Sequence, residues 1–157
     1  MGMSSSAVSR SSMMHRRVLV VDDDAATRSM LVDALRQKAL VIDQAADGRQ
    51  ALNLLRENTY TVVLLDLLMP HVDGFGVLEA MESHPPAPPI VLVVTGADRP
   101  IVEQLDARRI HGIVKKPFDP FEIADVVAAC AEIRARSPFE TMMATMIAGA
   151  PLIALLK

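Results

Sequence analysis

Three uninterrupted aliphatic runs constrain this chain more than anything else in it. They are Val18–Val21 in "RVLVVDDD" (17–24), Val62–Leu65 in "TVVLLD" (61–66) and Ile90–Val94 in "IVLVVT" (90–95). Each has the length of a strand, and none alternates with polar residues. A strand that is apolar at every position is covered on both faces. Each run also stops abruptly on a polar group: Asp22, Asp23 and Asp24 after the first, Asp66 after the second, Thr95 at the end of the third. A charge at the edge of a buried strand is costly to desolvate, so its placement needs a chemical reason.

The intervening segments carry helical spacing. Thr27, Met30, Leu31, Ala34 and Leu35 recur behind Asp24, a good N-cap. "VIDQA" (41–45) alternates as a short strand. "DGRQALNLLREN" (47–58) reads as a helix with Ala51, Leu52 and Leu55 on one face. After the turn punctuation of "MPHVDG" (69–74), a helix is predicted from Phe75 to Ser83. The Pro-rich "SHPPAPP" (83–89) is a connection. Asp98 and Pro100 open a further helix with Ile101, Val102 and Leu105 inward. "GIVK" (112–115) is a last strand, and "DPFEIADVVAACAEIRAR" (119–136) a helix capped by Asp119. Strand and helix thus alternate five times, which predicts an α/β fold of parallel strands with helical crossovers on both faces.

Composition narrows the function classes. The chain has 157 residues, enough for one domain with a full core, and no Trp, so the core is aliphatic. A net charge of −3 gives no general attraction to nucleic acid or to an anionic membrane. The one cysteine, Cys130, excludes an internal disulfide, fits a reducing compartment and is expected to pack in the core. His71, His84 and His111 show no metal-ligand spacing and read as surface or loop residues. No Ser-His-Asp order suggests a hydrolase.

In an open parallel sheet, ligands bind outside the carboxyl ends of the strands. Asp22, Asp23, Asp66 and Thr95 all fall at such ends, and Lys116 follows the last strand. If the strands bearing Asp22 and Asp66 are neighbours, their axes lie ~4.8 Å apart and three carboxylates share one crevice. Like charges so close are relieved by a proton or a cation. Oxygen donors alone favour a hard ion, Mg²⁺ above others. A Lys ammonium and a Thr hydroxyl beside such an ion suit the oxygens of a phosphoryl group. There is no Gly-rich phosphate loop, so a bound nucleotide is not expected; a carboxylate nucleophile would receive the phosphate.

These elements, "VLVVDDD", "LLDLLMPHVDG", "VVTGAD" and "VKKPF", occur in that order at strand ends. Over residues 17 to about 136 the chain resembles the receiver domain of two-component response regulators. The resemblance implies a doubly wound five-stranded parallel sheet in the order 2-1-3-4-5, with helices on both faces. It implies Asp66 as phosphoacceptor and as a metal ligand, Asp23 as direct Mg²⁺ ligand with Asp22 as its partner, and the Leu68 carbonyl as a third protein ligand. Thr95 would hydrogen-bond the phosphoryl group and Lys116 would pair with it. Lys115 competes for that last role, and the register of Lys-Pro-Phe favours Lys116. A cis Lys116–Pro117 bond is implied as well. Asp73 and Gly74 are read as shaping a turn.

Two departures from the family pattern stand out. Ile113 occupies the position, three before the lysine, where similar domains often carry an aromatic residue, which puts the usual coupling between Thr95 and that aromatic in doubt. Leu68 and Ala97 lie two residues after Asp66 and Thr95, where similar domains flank the path of attacking water. Both are apolar, so slow self-dephosphorylation is expected.

The expected organisation is a disordered Ser-rich leader (1–16), a receiver (17–136) and a C-terminal hydrophobic helical extension (137–157). Met1-Gly2 with Ser6 also fits a loose myristoylation pattern. The extension opens with a capping box from Ser137 to Glu140 and carries Phe139, Met142, Met143, Met146 and Ile147 at helical spacing. It is too short for a bilayer span or a DNA-binding output domain. Folding back on the receiver, docking a partner or a second copy, and lying on a membrane remain open for it.

The implied function is that of a single-domain cytoplasmic response regulator. It would take phosphate from a sensor histidine kinase or phosphotransfer protein and signal by protein contact, with no nucleic-acid partner and no separate substrate. The expected contact surface is the fourth helix, fifth strand and fifth helix, roughly Arg99 to Arg109 and Lys115 onward. The competing reading is a phosphorylation-independent binding or scaffolding module.

Overall fold

Alternating strands and helices build the chain from Arg17 onward. The computed structural model describes residues 16–82 and 88–135. The leader, most of the Pro-rich connection with His84, and the 137–157 extension lie outside the described residues. Strands β1 (Arg17–Val21), β2 (Val41–Ala45), β3 (Val62–Leu65), β4 (Ile90–Thr95) and β5 (Gly112–Lys115) alternate with helices α1 (Ala25–Leu35), α2 (Gly48–Glu57), α3 (Gly74–Glu82), α4 (Arg99–Val102) and α5 (Pro120–Ala135). A 3-10 turn, Arg36–Lys38, extends α1.

All neighbouring strands pair in parallel, in the order β2-β1-β3-β4-β5. The fold class and two-sided covering expected from the sequence, and the strand order that the resemblance implies, are all present. Because side chains alternate across a strand, each aliphatic run supplies both faces at once. Val18, Val20, Val62, Leu64, Leu92 and Val94 pack with α1 and α5 through Leu31, Leu35, Ile123 and Val127. Leu19, Val21, Val63, Leu65 and Val91 pack on the other face with Ala51 of α2 and Val77 of α3. Cys130 is buried in the first of these layers, as expected.

Two expectations need correction. In α1, Val32 is buried while Met30 is exposed. The apolar stripe is therefore turned by one position, because Val32 and not Met30 faces the sheet and α5. The fourth helix is a single turn instead of an element running toward Arg109. Gln104 and Leu105 bond back only three residues, to Ile101 and Val102. The Asp106 carboxylate then takes the Arg108 N–H at 2.9 Å. Tightening to three-residue bonds followed by a side-chain competitor for the backbone ends a helix. Ile101, Val102 and Leu105 still pack inward, against Leu67, Val93 and Ala97.

Candidate functional site

The cup at the carboxyl ends of the strands is assembled by the sheet's own hydrogen bonds. Asp22 is the first residue past β1, and its N–H reaches the Ala45 carbonyl at the end of β2 (3.2 Å). Asp66 is the first residue past β3, and its N–H reaches the Val21 carbonyl at 2.9 Å. The ladder that pairs β1 with β3 therefore fixes the two carboxylates side by side. Asp24 caps α1 by accepting the Thr27 N–H at 2.9 Å, which turns the chain away and leaves Asp23 exposed at the rim.

Asp22 and Asp66 are buried, at 1% and 5% exposure. One oxygen from each of Asp22, Asp23 and Asp66 lies within 4.8 Å of the others. Lys116 bridges the buried pair: its Nζ stands 2.7 Å from Asp22 Oδ2 and 3.1 Å from Asp66 Oδ2. The lysine's backbone N–H is held by the Thr95 carbonyl at 3.0 Å, so the end of β4 sets where the ammonium begins. The Lys116–Pro117 bond is cis.

Electrostatics follow from this packing. Burial alone would lower the Lys116 pKa, but its bonds to Asp22 and Asp66 outweigh that and raise it. For Asp22, burial pushes the carboxyl up, more than the bonds from Lys116 and the Asp24 N–H recover, and Asp66 adds repulsion. The ammonium thus leaves part of the burial cost on Asp22. A hard cation taking oxygen ligands would relieve it, and a donor set made of carboxylates fits Mg²⁺.

Thr95 is fully buried at the end of β4. Its Oγ1 accepts the Ala97 N–H at 3.1 Å, which leaves the hydroxyl hydrogen for another acceptor. Leu68, expected to offer a carbonyl, has its N–H on Asp66 Oδ1 at 3.3 Å and a half-exposed side chain at the rim. Ala97 is buried with Leu67 and Val93, so of the two apolar positions expected beside a water path, Leu68 is the one at the surface. Asp22, Asp23, Asp66 and Lys116 are therefore brought into direct proximity. Thr95 joins them through the backbone of Lys116. Lys115 does not enter the cup: its ammonium contacts the Ala97 carbonyl.

Two contributors escaped the sequence reading. Arg28, one turn into α1, donates to the Asp22 carbonyl at 2.7 Å and braces the β1 exit. Gly74 does more than shape a turn. A Cβ there would stand 2.4 Å from the Asp66 carbonyl oxygen and 2.7 Å from Leu67 Cα. Its N–H also returns to the Leu67 carbonyl at 3.0 Å. The Asp-Gly pair hinted at a special position, but nothing in the sequence says which backbone comes close. His111, read as a surface or loop residue, also takes a specific partner: its Nδ1 accepts the Val91 N–H at 3.1 Å.

Comparison with known proteins gives a consistent picture. Residues 18–128 match the family model described as the response regulator receiver domain. Transcriptional regulatory protein SrrA of Staphylococcus aureus is 34% identical over 110 residues, covering 70% of this chain and 45% of SrrA. The chain thus spans about half the length of the curated relatives it matches. Among solved structures, the response regulator TrrA of Thermotoga maritima, in complex with Mg²⁺-BeF, aligns with a TM-score of 0.64 at 26% identity, covering 73% of this chain and 98% of that one. Chemotaxis protein CheY4 of Vibrio cholerae aligns with a TM-score of 0.63 at 28% identity, over 73% of this chain and 97% of that one.

Proposed function

The chain belongs to the response regulator receiver family, and from that membership we propose that it accepts a phosphoryl group on Asp66 from a phosphohistidine donor, in a Mg²⁺-dependent reaction. The observation that carries this reading is the crowding of Asp22, Asp23 and Asp66 within 4.8 Å under the Lys116 ammonium. Like charges so close repel, and the Lys116 ammonium pairs with Asp22 and Asp66 but not Asp23, which leaves negative charge for a cation to offset.

The chemistry falls on this chain's own residues. An Asp66 carboxylate oxygen attacks the phosphorus. An O–P bond forms as the P–N bond to the donor imidazole breaks, and the ring nitrogen keeps the electron pair and takes a proton. Lys116 offsets charge on the phosphoryl oxygens, and the Thr95 hydroxyl donates a hydrogen bond to one of them. Asp22, Asp23, Asp66 and the Leu68 carbonyl would hold Mg²⁺, which supplies further charge neutralisation for phosphoryl transfer when bound. The apolar β3 run holds the nucleophile at a fixed point, which lowers the entropy cost of in-line attack.

The donor is a sensor histidine kinase or a phosphotransfer protein, and the signal leaves by protein contact. Nothing else is turned over. Asp66→Asn, assayed with a small-molecule phosphodonor and Mg²⁺, is expected to lose covalent phosphate incorporation, read by intact mass. Equal incorporation in the variant would overturn the assignment. A wild-type chain that takes no phosphate but still binds a partner would instead favour the phosphorylation-independent module.

A further inference from the structure

Lys115 ends β5 and Lys116 follows it; Asp22 and Asp66 engage Lys116. Lys115 is the lateral partner of Thr95 in the β4–β5 ladder. Its ammonium does not point at solvent alone; it contacts the carbonyl of Ala97 in the loop that follows β4. That loop carries Thr95, Gly96 and Ala97.

Ala97 is held from three directions. Its side chain is buried with Leu67 and Val93. Its N–H donates to Thr95 Oγ1 at 3.1 Å. Its carbonyl accepts from Lys115. The first hold ties the loop to the residue beside Asp66. The second decides where the Thr95 hydroxyl hydrogen points, because an oxygen that accepts in one direction donates in another. The third is charge-assisted, hence the stronger kind of hydrogen bond. It fixes the peptide unit next to the one that holds Thr95. Without it, the loop after β4 has no charged tie to β5, and the Ala97 N–H is freer to leave Thr95.

We propose that Lys115 is a positioning residue: by holding the Ala97 carbonyl it keeps the Ala97 N–H on Thr95 Oγ1 and so orients the Thr95 hydroxyl toward the phosphoryl site. The inference rests on the phosphoacceptor reading of Asp66. It acts through Thr95 alone and requires no contact of Lys115 with phosphate. Preorganised donors are worth most where charge develops. Loss of one such tie is expected to slow phosphate uptake roughly three- to tenfold, the range of one net hydrogen bond.

The test is a double-mutant cycle on the full chain, with a small-molecule phosphodonor and Mg²⁺. Lys115→Met should slow incorporation by that factor when Thr95 is present and by less than about twofold in a Thr95→Ala background, since coupled residues are non-additive. Lys115→Arg, which keeps a charged donor, should restore most of the rate. No slowing by Lys115→Met, or an equal slowing in both backgrounds, overturns the proposal. A second readout stands apart from phosphorylation. Hydrogen exchange at the Ala97 amide should quicken in Lys115→Met while the β4 amides Leu92 to Val94 stay protected. An unchanged Ala97 amide overturns the proposal too. If the wild-type chain takes no phosphate, the Asp66 reading fails, and the Ala97 amide still decides whether Lys115 holds the loop.

Discussion

At the residue scale, the site depends on groups whose value comes from what they almost touch. Gly74 is the sharpest case. Its missing side chain lets the start of α3 pass within van der Waals range of the Asp66 and Leu67 backbone. Gly74→Ala should therefore cost about 1–3 kcal/mol, the usual penalty for overpacking, and slow phosphate uptake as the loop shifts. Urea unfolding of the variant would read the first and mass spectrometry the second. Leu68 offers a different kind of prediction. It is apolar and half exposed beside Asp66, so nothing in its side chain orients a water. The phosphorylated chain should be long-lived, and Leu68→Gln should shorten that lifetime several-fold, followed as loss of bound phosphate over time. Asp22, Asp66 and Thr95 were legible in the sequence because each ends an apolar run, whereas Lys116 was separated from Lys115 only by the register of Lys-Pro-Phe. Arg28 and Gly74 were not, because their roles arise from contacts between segments that sequence spacing does not bring together.

At the element scale, the sheet carries a second polar cluster, built from the start of β1, the middle of β2 and the approach to β3. Arg17 on β1 donates from Nε to Asp43 Oδ2 on β2 at 2.6 Å. Tyr60, just before β3, donates its hydroxyl to the same oxygen at 2.7 Å. The mid-β2 carboxylate thus ties the start of β1 to the segment that leads into β3, and the guanidinium lies 5.7 Å over the tyrosine ring. Burial pushes the Asp43 carboxyl up, but the bonds from Arg17 and Tyr60 outweigh it and leave it below its ordinary value. A carboxyl with a lowered folded pKa adds stability above its unfolded pKa. That stability is lost as pH falls through the folded value. Asp43→Asn should thus cost about 1–2 kcal/mol at neutral pH, discounted because the cluster is partly solvated. The gap to wild type should shrink below about pH 4. Chemical unfolding from pH 3 to 7 would measure both, and a gap that widened on acidification would contradict the reading. Element positions were legible for the same reason the site was: β2, β4 and β5 fall where alternation or unbroken aliphatic runs place them. The length of α4 was not legible. Pro100 and Asp98 announce its start, but its end depends on Asp106 competing for the backbone, and helical spacing continues through Leu105 regardless.

At the scale of the whole molecule, the sheet separates a charged cup from a charged clamp. Asp43 is level with Leu19, three residues short of Asp22, and strands rise about 3.3 Å per residue, so the Asp43 carboxylate and the cup stand roughly 10 Å apart along the sheet. The aliphatic layer of the sheet holds Val18 to Val21 and Val62 to Leu65, nearly all fully buried, and transmits position but little charge. The cup should bind Mg²⁺ in the folded chain and not in the unfolded one. At ten times its Kd the ion would then add about 1.4 kcal/mol, a shift of a few degrees in Tm for a chain of this size. Asp23→Asn should remove that Mg²⁺-dependent increment. Asp43→Asn should lower Tm with and without the ion and leave the increment intact. Combined in one chain, the two substitutions should add within about 0.5 kcal/mol, because groups this far apart share no partners. Larger coupling, measured by melting the four chains with and without Mg²⁺, would mean that the strands relay strain from clamp to cup, and the aliphatic layer would no longer be the passive scaffold its packing implies.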